Sequence, residues 1–155
     1  MRRKALLGLI ASCTLAACAH QTAPQATTGM AWFLDATESE GAKLAFGAPS
    51  SDNVLLMMTC KPRSGAVQVS LMGFEGGRAP SLQLASGGAV ARLAAQSAPG
   101  LHAPILEATA RASDPVLASF ARTGQLAVGA GARPTALPAA DRAQSRRFVE
   151  SCRSA

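Results

Sequence analysis

The sequence predicts a mainly β domain, a small antiparallel β-sandwich or open barrel that carries two short helices. Three observations lead there. Short apolar stretches with a two-residue alternation recur along the chain. Glycine and proline clusters separate them. Only two stretches carry the caps and the wider period of a helix. About seven to nine strands result, and no internal repeat relates them.

The elements follow in order. Residues 30–34 form a short apolar run, and Lys43-Leu44-Ala45-Phe46 alternates. Pro49-Ser50-Ser51-Asp52 has turn chemistry. Residues 54–60 read as one apolar run, which predicts a central strand buried on both faces. Val67, Val69 and Leu71 alternate with Gln68 and Ser70, the mark of a half-buried strand. Residues 73–80 are a glycine-rich turn, after which Leu82 and Leu84 alternate with Ser81 and Gln83. Gly87-Gly88 predicts a hairpin into a strand over 89–94. Leu106, Ala108 and Ala110 then oppose Glu107, Thr109 and Arg111 across a further strand.

The first helix is expected over 115–123. Asp114 suits its N-cap, Pro115 its first position and Gly124 its stop. Val116, Leu117, Phe120 and Ala121 form its apolar stripe. Residues 125–128 and 134–137 read as a hairpin around Gly129-Ala130-Gly131. The second helix is expected over 141–152, with Phe148, Val149 and Cys152 on one face and Arg142, Arg146 and Arg147 largely away from it.

The N-terminus has a separate logic. Met1-Arg2-Arg3-Lys4 is basic, residues 5–15 are apolar, and Leu15-Ala16-Ala17-Cys18 closes the run. The run is shorter than the ~20 residues that span a bilayer, so it reads as a cleaved signal rather than a transmembrane helix. These eighteen residues resemble the lipobox signal peptide of bacterial lipoproteins. The resemblance implies cleavage before Cys18, a diacylglycerol on its thiol and an acyl chain on its new amino group. Two or more chains anchor a protein stably. Ile10-Ala11-Ser12-Cys13 is a competing lipobox, but it leaves a shorter apolar region and an odd thiol. The family pattern also implies export to the outer membrane, because Ala19 rather than Asp follows the anchor cysteine.

Three segments follow: a signal peptide over 1–17, a lipidated cysteine and tether over 18–29, and one β-rich domain over 30–155. The tether reaches about 40 Å at most, which keeps the domain close to the membrane. Cleavage leaves 138 of the 155 residues, enough for one domain with its own core. It also halves the formal charge of +6, because Arg2, Arg3 and Lys4 leave with the signal. With no Tyr and a single Trp, Trp32, the chain lacks the basic and aromatic footprint of a nucleic-acid binder.

With Cys18 lipidated, Cys60 and Cys152 remain, in a compartment that permits disulfides. A Cys60–Cys152 bridge stapling the last helix to the central strand is the expected pairing. Two free thiols, or a thiol nucleophile or ligand, are the alternatives, without a CxxC or Cys/His spacing to support the latter. The domain loosely resembles small disulfide-bridged β-rich envelope lipoproteins, on the 45–60 strand pair and the Phe148 to Cys152 ending.

No catalytic set emerges. His20 stands beside the anchor, and His102 is in a Pro-Gly loop without a neighbouring acid or cysteine. No GxSxG elbow is present. Asp35, Glu38 and Glu40 cluster without calcium-loop spacing and read as a solvated loop. Gly129-Ala130-Gly131 is followed by Arg133-Pro134 and not by a helix, so it reads as a turn rather than a phosphate loop. No cofactor or metal is implied. Arg142, Arg146, Arg147 and Arg153 suit either a solvated helix face or contact with anionic lipid or lipopolysaccharide. The sequence points to a non-enzymatic structural, assembly or binding lipoprotein with an envelope protein as partner. The alternatives are an envelope hydrolase and a protein inhibitor such as a lysozyme inhibitor: Ala85-Ser86-Gly87 resembles a loop of one such family, with Gly88-Ala89-Val90 where that family has basic and aromatic residues.

Overall fold

The computed structural model describes residues 29–37, 41–74, 81–100, 103–131 and 133–154. Cys13, Cys18, His20, Glu38, Glu40 and His102 lie outside the described residues. The elements run β1 (Ala31–Thr37), β2 (Gly41–Gly47), β3 (Val54–Cys60), β4 (Ala66–Met72), β5 (Ser81–Ser86), β6 (Ala89–Ala98) and β7 (Ile105–Arg111). Then come α1 (Pro115–Thr123), β8 (Ala127–Ala130), β9 (Thr135–Ala136) and α2 (Arg142–Cys152).

The nine strands form one antiparallel sheet in the order β1-β2-β3-β4-β7-β6-β5-β8-β9. Two meanders, β1 to β4 and β5 to β7, meet where β4 pairs with β7. Residues 89–94 of β6 pair with β5, whereas 95–98 pair with β7. Its two neighbours are therefore staggered along it, and the sheet curls into a half-barrel. This is the open form of the expected β fold. The layer facing the sheet consists of helices, not of a second sheet.

The inner face is laid down in rows. Trp32, Phe46, Leu56, Leu71 and Leu106 are successive partners across five strands. The next row is Leu34, Leu44, Met58, Val69 and Ala108, and the next includes Ala36, Ala42 and Cys60. Side chains shrink from row to row, so α2 can approach closely at the last one. There the Cys60–Cys152 disulfide joins strand to helix, with Cα atoms 5.6 Å apart. The bridge expected from the cysteine count is thus present.

Both helices obey their local signals. The Val116 and Ala143 amides donate to the carboxylates of the N-caps Asp114 and Asp141, at 3.0 and 2.8 Å. Gly124 ends α1 in the left-handed region at φ 70°. The Gly65 amide donates to Cys152 O at 2.9 Å, and the Ala112 amide donates to Gly65 O at 2.9 Å, which brings the start of α1 to the end of α2. At the other end the Ala140 amide donates to Gly124 O at 2.8 Å. The helices are therefore antiparallel neighbours filling the hollow of the sheet, with Phe120, Phe148 and Val149 fully buried. No described helix is long and apolar enough to cross a membrane.

Gly124 has a second reason to be glycine. A Cβ there would run into the carbonyl oxygen of Ala140. Gly124→Ala is expected to destabilise the domain by more than about 1 kcal/mol, through the positive φ and the blocked approach together. An unchanged thermal midpoint would contradict this.

Three expectations change. The strand over 54–60 is buried on both faces only in part: Leu56, Met58 and Cys60 point inward and are buried, and on the other face Leu55 is buried while Met57 and Thr59 are half-buried. The strand after the Gly87-Gly88 turn runs to Ala98, four residues beyond its alternation, because β7 supplies a partner. Asp35 is not in a loop. It is an exposed residue of β1 opposite Lys43, where the strand pairing extends to Thr37.

Candidate functional site

The outer face of the sheet repeats the period-two logic with polar residues. Asp35, Lys43, Thr59, Gln68 and Thr109 are successive cross-strand partners on β1, β2, β3, β4 and β7. At ~4.8 Å per strand the row is about 19 Å long. Thr109 Oγ1 donates to Gln68 Oε1 at 3.0 Å, which ties the two meanders together on this face. The row floors an open groove of about 520 Å³, whose rim includes Lys61 and Ser64.

Such a groove can hydrogen-bond a polar ligand and offers both signs of charge. Nucleophilic chemistry needs more: a hydroxyl or thiol with a general base within hydrogen-bond reach. Among the described residues no imidazole accompanies the hydroxyls of Thr37, Thr59, Ser64 and Thr109. Cys60 also lines the groove, but its sulfur is bonded to Cys152. No group of three or more His, Cys, Asp or Glu among the described residues stands ready for a metal ion.

A second groove of about 450 Å³ lies beside the β5–β6 hairpin. Its floor is the row Ala85, Ala127 and Ala136, and Val90, 65% exposed, forms one wall. It is a shallow apolar trench without converging polar groups. The adjacent Ala85-Ser86-Gly87 stretch belongs to a tight hairpin with positive φ at Gly87 and Gly88. Ser86 points inward, its hydroxyl 3.4 Å from that of Thr123 at the end of α1. Gly129-Ala130-Gly131 is not the turn expected: Gly129 and Ala130 are the last residues of β8, paired with Gln83 and Leu82, and Gly131 follows the strand, with β9 and not a helix as the next element.

Charge concentrates elsewhere. Arg142, Arg146, Arg147 and Arg153 are all exposed on or just beyond α2, opposite its buried Ser145, Phe148, Val149 and Cys152. Arg63 joins them from the β3–β4 loop: it adopts φ 55° and its amide donates to Ser151 O at 3.0 Å. The carboxylate of Asp141 accepts the Ala143 and Gln144 amides, so it serves as the helix cap. Glu150 is the one acid on the exposed helix surface among these arginines.

Two of these features escaped the sequence reading. Lys43, Gln68 and Thr109 are legible alone as outward positions, Asp35 and Thr59 are not, and only the β4–β7 pairing places Thr109 beside Gln68. Arg63 joins the arginines of α2 through a backbone hydrogen bond that no spacing announces. No protein-family model, curated protein or solved structure matches this chain.

Proposed function

We propose that the protein is a lipid-anchored component of a bacterial cell envelope, acylated at Cys18, whose β domain is a non-enzymatic structural, assembly or binding module. Its place is the periplasmic face of the outer membrane, and its partner is another envelope protein. The observation that carries this reading is Leu15-Ala16-Ala17-Cys18 behind a basic start and a short apolar run. The Cys60–Cys152 bridge supports it, because structural disulfides persist in oxidising compartments. The open groove on the outer face of the sheet, lined by Asp35, Lys43 and Gln68, suits recognition of a polar surface.

The test is intact-mass analysis of protein extracted from membranes. The expected mature chain begins at an acylated Cys18. Cys18→Ser should move the protein out of the membrane fraction, while Cys13→Ser should leave it there. An unacylated N-terminus, or one beginning at Cys13, would overturn the anchor assignment. Crosslinking in intact cells, read by mass spectrometry, then identifies the partner.

A further inference from the structure

We propose that the outer surface of α2 is the face on which the domain rests against an anionic phospholipid bilayer, with the helix lying along the headgroups. The proposal deepens the anchored reading above and takes from it only the closeness of the membrane.

Charge is the first support. Arg63, Arg142, Arg146, Arg147 and Arg153 form a basic strip along α2 and past its C-terminal end. Five guanidinium groups face two carboxylates, those of Asp141 and Glu150, and Asp141 is engaged as a cap. None of the five makes an ion pair or a side-chain hydrogen bond among the described residues. Their donors are open, and a guanidinium presents a planar fork that fits a phosphate.

Shape is the second. The eleven residues of α2 give a basic rod about 16 Å long on the side of the molecule opposite the outer sheet face. Its inner face is fixed by Phe148, Val149 and the Cys152 bridge, so the arginines are carried on a rigid element.

The route of the chain is the third. Trp32, the second residue of β1, donates its indole N–H to Pro138 O at 2.7 Å. Pro138 precedes Arg142 by four residues, so the chain enters the domain beside the first turn of α2. The segment between Cys18 and Gly29 can reach about 40 Å, more than twice the length of the helix. An anchor in the bilayer and the arginines of α2 can therefore engage one membrane at once. Attraction to anionic headgroups fades beyond a Debye length of ~8–10 Å, and the tether is long enough to let the strip come within that range.

The experiment uses the full chain reconstituted into vesicles of phosphatidylcholine, with or without phosphatidylglycerol. A photoactivatable headgroup label maps the contacts by mass spectrometry. Labelling of residues 142–153 and of Arg63 is expected to be at least about fivefold higher with phosphatidylglycerol, and to fall as salt rises. The triple variant Arg142→Gln, Arg146→Gln, Arg147→Gln should lose that excess while keeping the parent's unfolding midpoint. Lys43→Gln with Lys61→Gln, on the outer sheet face, should retain it. Equal labelling in neutral vesicles, an unaffected triple variant, or labelling mainly of the outer sheet face would overturn the proposal. The mass of the same sample reports acylation separately. An unacylated chain that still labels on α2 removes the anchor and keeps this contact. An acylated chain without label on α2 does the reverse.

Discussion

Replacing Cys60 and Cys152 together by alanine is expected to lower the unfolding free energy by about 2–5 kcal/mol. The bridge spans 92 residues, and the chain-entropy model assigns a loop of that length about 4.6 kcal/mol. The native state should tolerate the change in shape, because both sulfurs lie in the row of small side chains that includes Ala36 and Ala42. The amides of Arg63 and Gly65 would still donate to Ser151 and Cys152. The loss therefore falls mainly on the unfolded chain, which regains the freedom the crosslink removed. Urea titration of the oxidised parent, the reduced parent and the double variant checks it. Reduced parent and variant should unfold at similar urea concentrations, both well below the oxidised form. A difference under about 1 kcal/mol would mean that the crosslink constrains little.

Phe120→Ala is the second large effect, expected to cost about 3–5 kcal/mol. Phe120 has no exposed surface and meets Trp32 with ring centroids 5.6 Å apart. Trp32 also packs on Phe46 at 5.3 Å, so one ring from α1 and two from the β1–β2 pair form an aromatic cluster. Truncation opens a cavity where helix and edge strand meet, and neither element can slide to fill it. Trp32 is held by its bond to Pro138 O, and α1 is held at both ends by Asp114 and Gly124. Because Trp32 is the only tryptophan, its fluorescence reads this site alone. The variant should show a red-shifted emission in the folded state together with a lower unfolding midpoint. A shift in neither would mean that the cluster repacks.

The contrast between what the sequence disclosed and what it concealed follows the range of the interactions. The bounds of α1 were legible because each signal is local: Asp114 bonds two residues on, and Gly124 turns left at its own backbone. The staple was legible because it follows from counting cysteines. The length of β6 was not, since Ala95-Gln96-Ser97-Ala98 has no alternation and is a strand only because β7 lies beside it. Whether the inner face would meet a second sheet or a pair of helices was equally hidden. That depends on α1 and α2 folding back antiparallel, through Gly65 at one end and Ala140 at the other. Of the candidate site, Lys43, Gln68 and Thr109 were readable singly as outward residues and Asp35 and Thr59 were not, while the alignment of all five into one row is a property of strand order.

The staggered pairing of β6 has a consequence for how the molecule opens. One strand belongs to both halves of the half-barrel, and the helix pair crosses the same seam, with α2 on β1 and β2 and α1 on β5 and β6. The halves that β6 joins, β1 to β4 with β7 on one side and β5 with β8 and β9 on the other, cannot separate without breaking one of its two ladders. Slow amide exchange in β3 and in β5 should therefore report the same opening event, with one free energy, as in a single foldon. A partner pulling on the outer face would meet a domain that yields all at once or not at all.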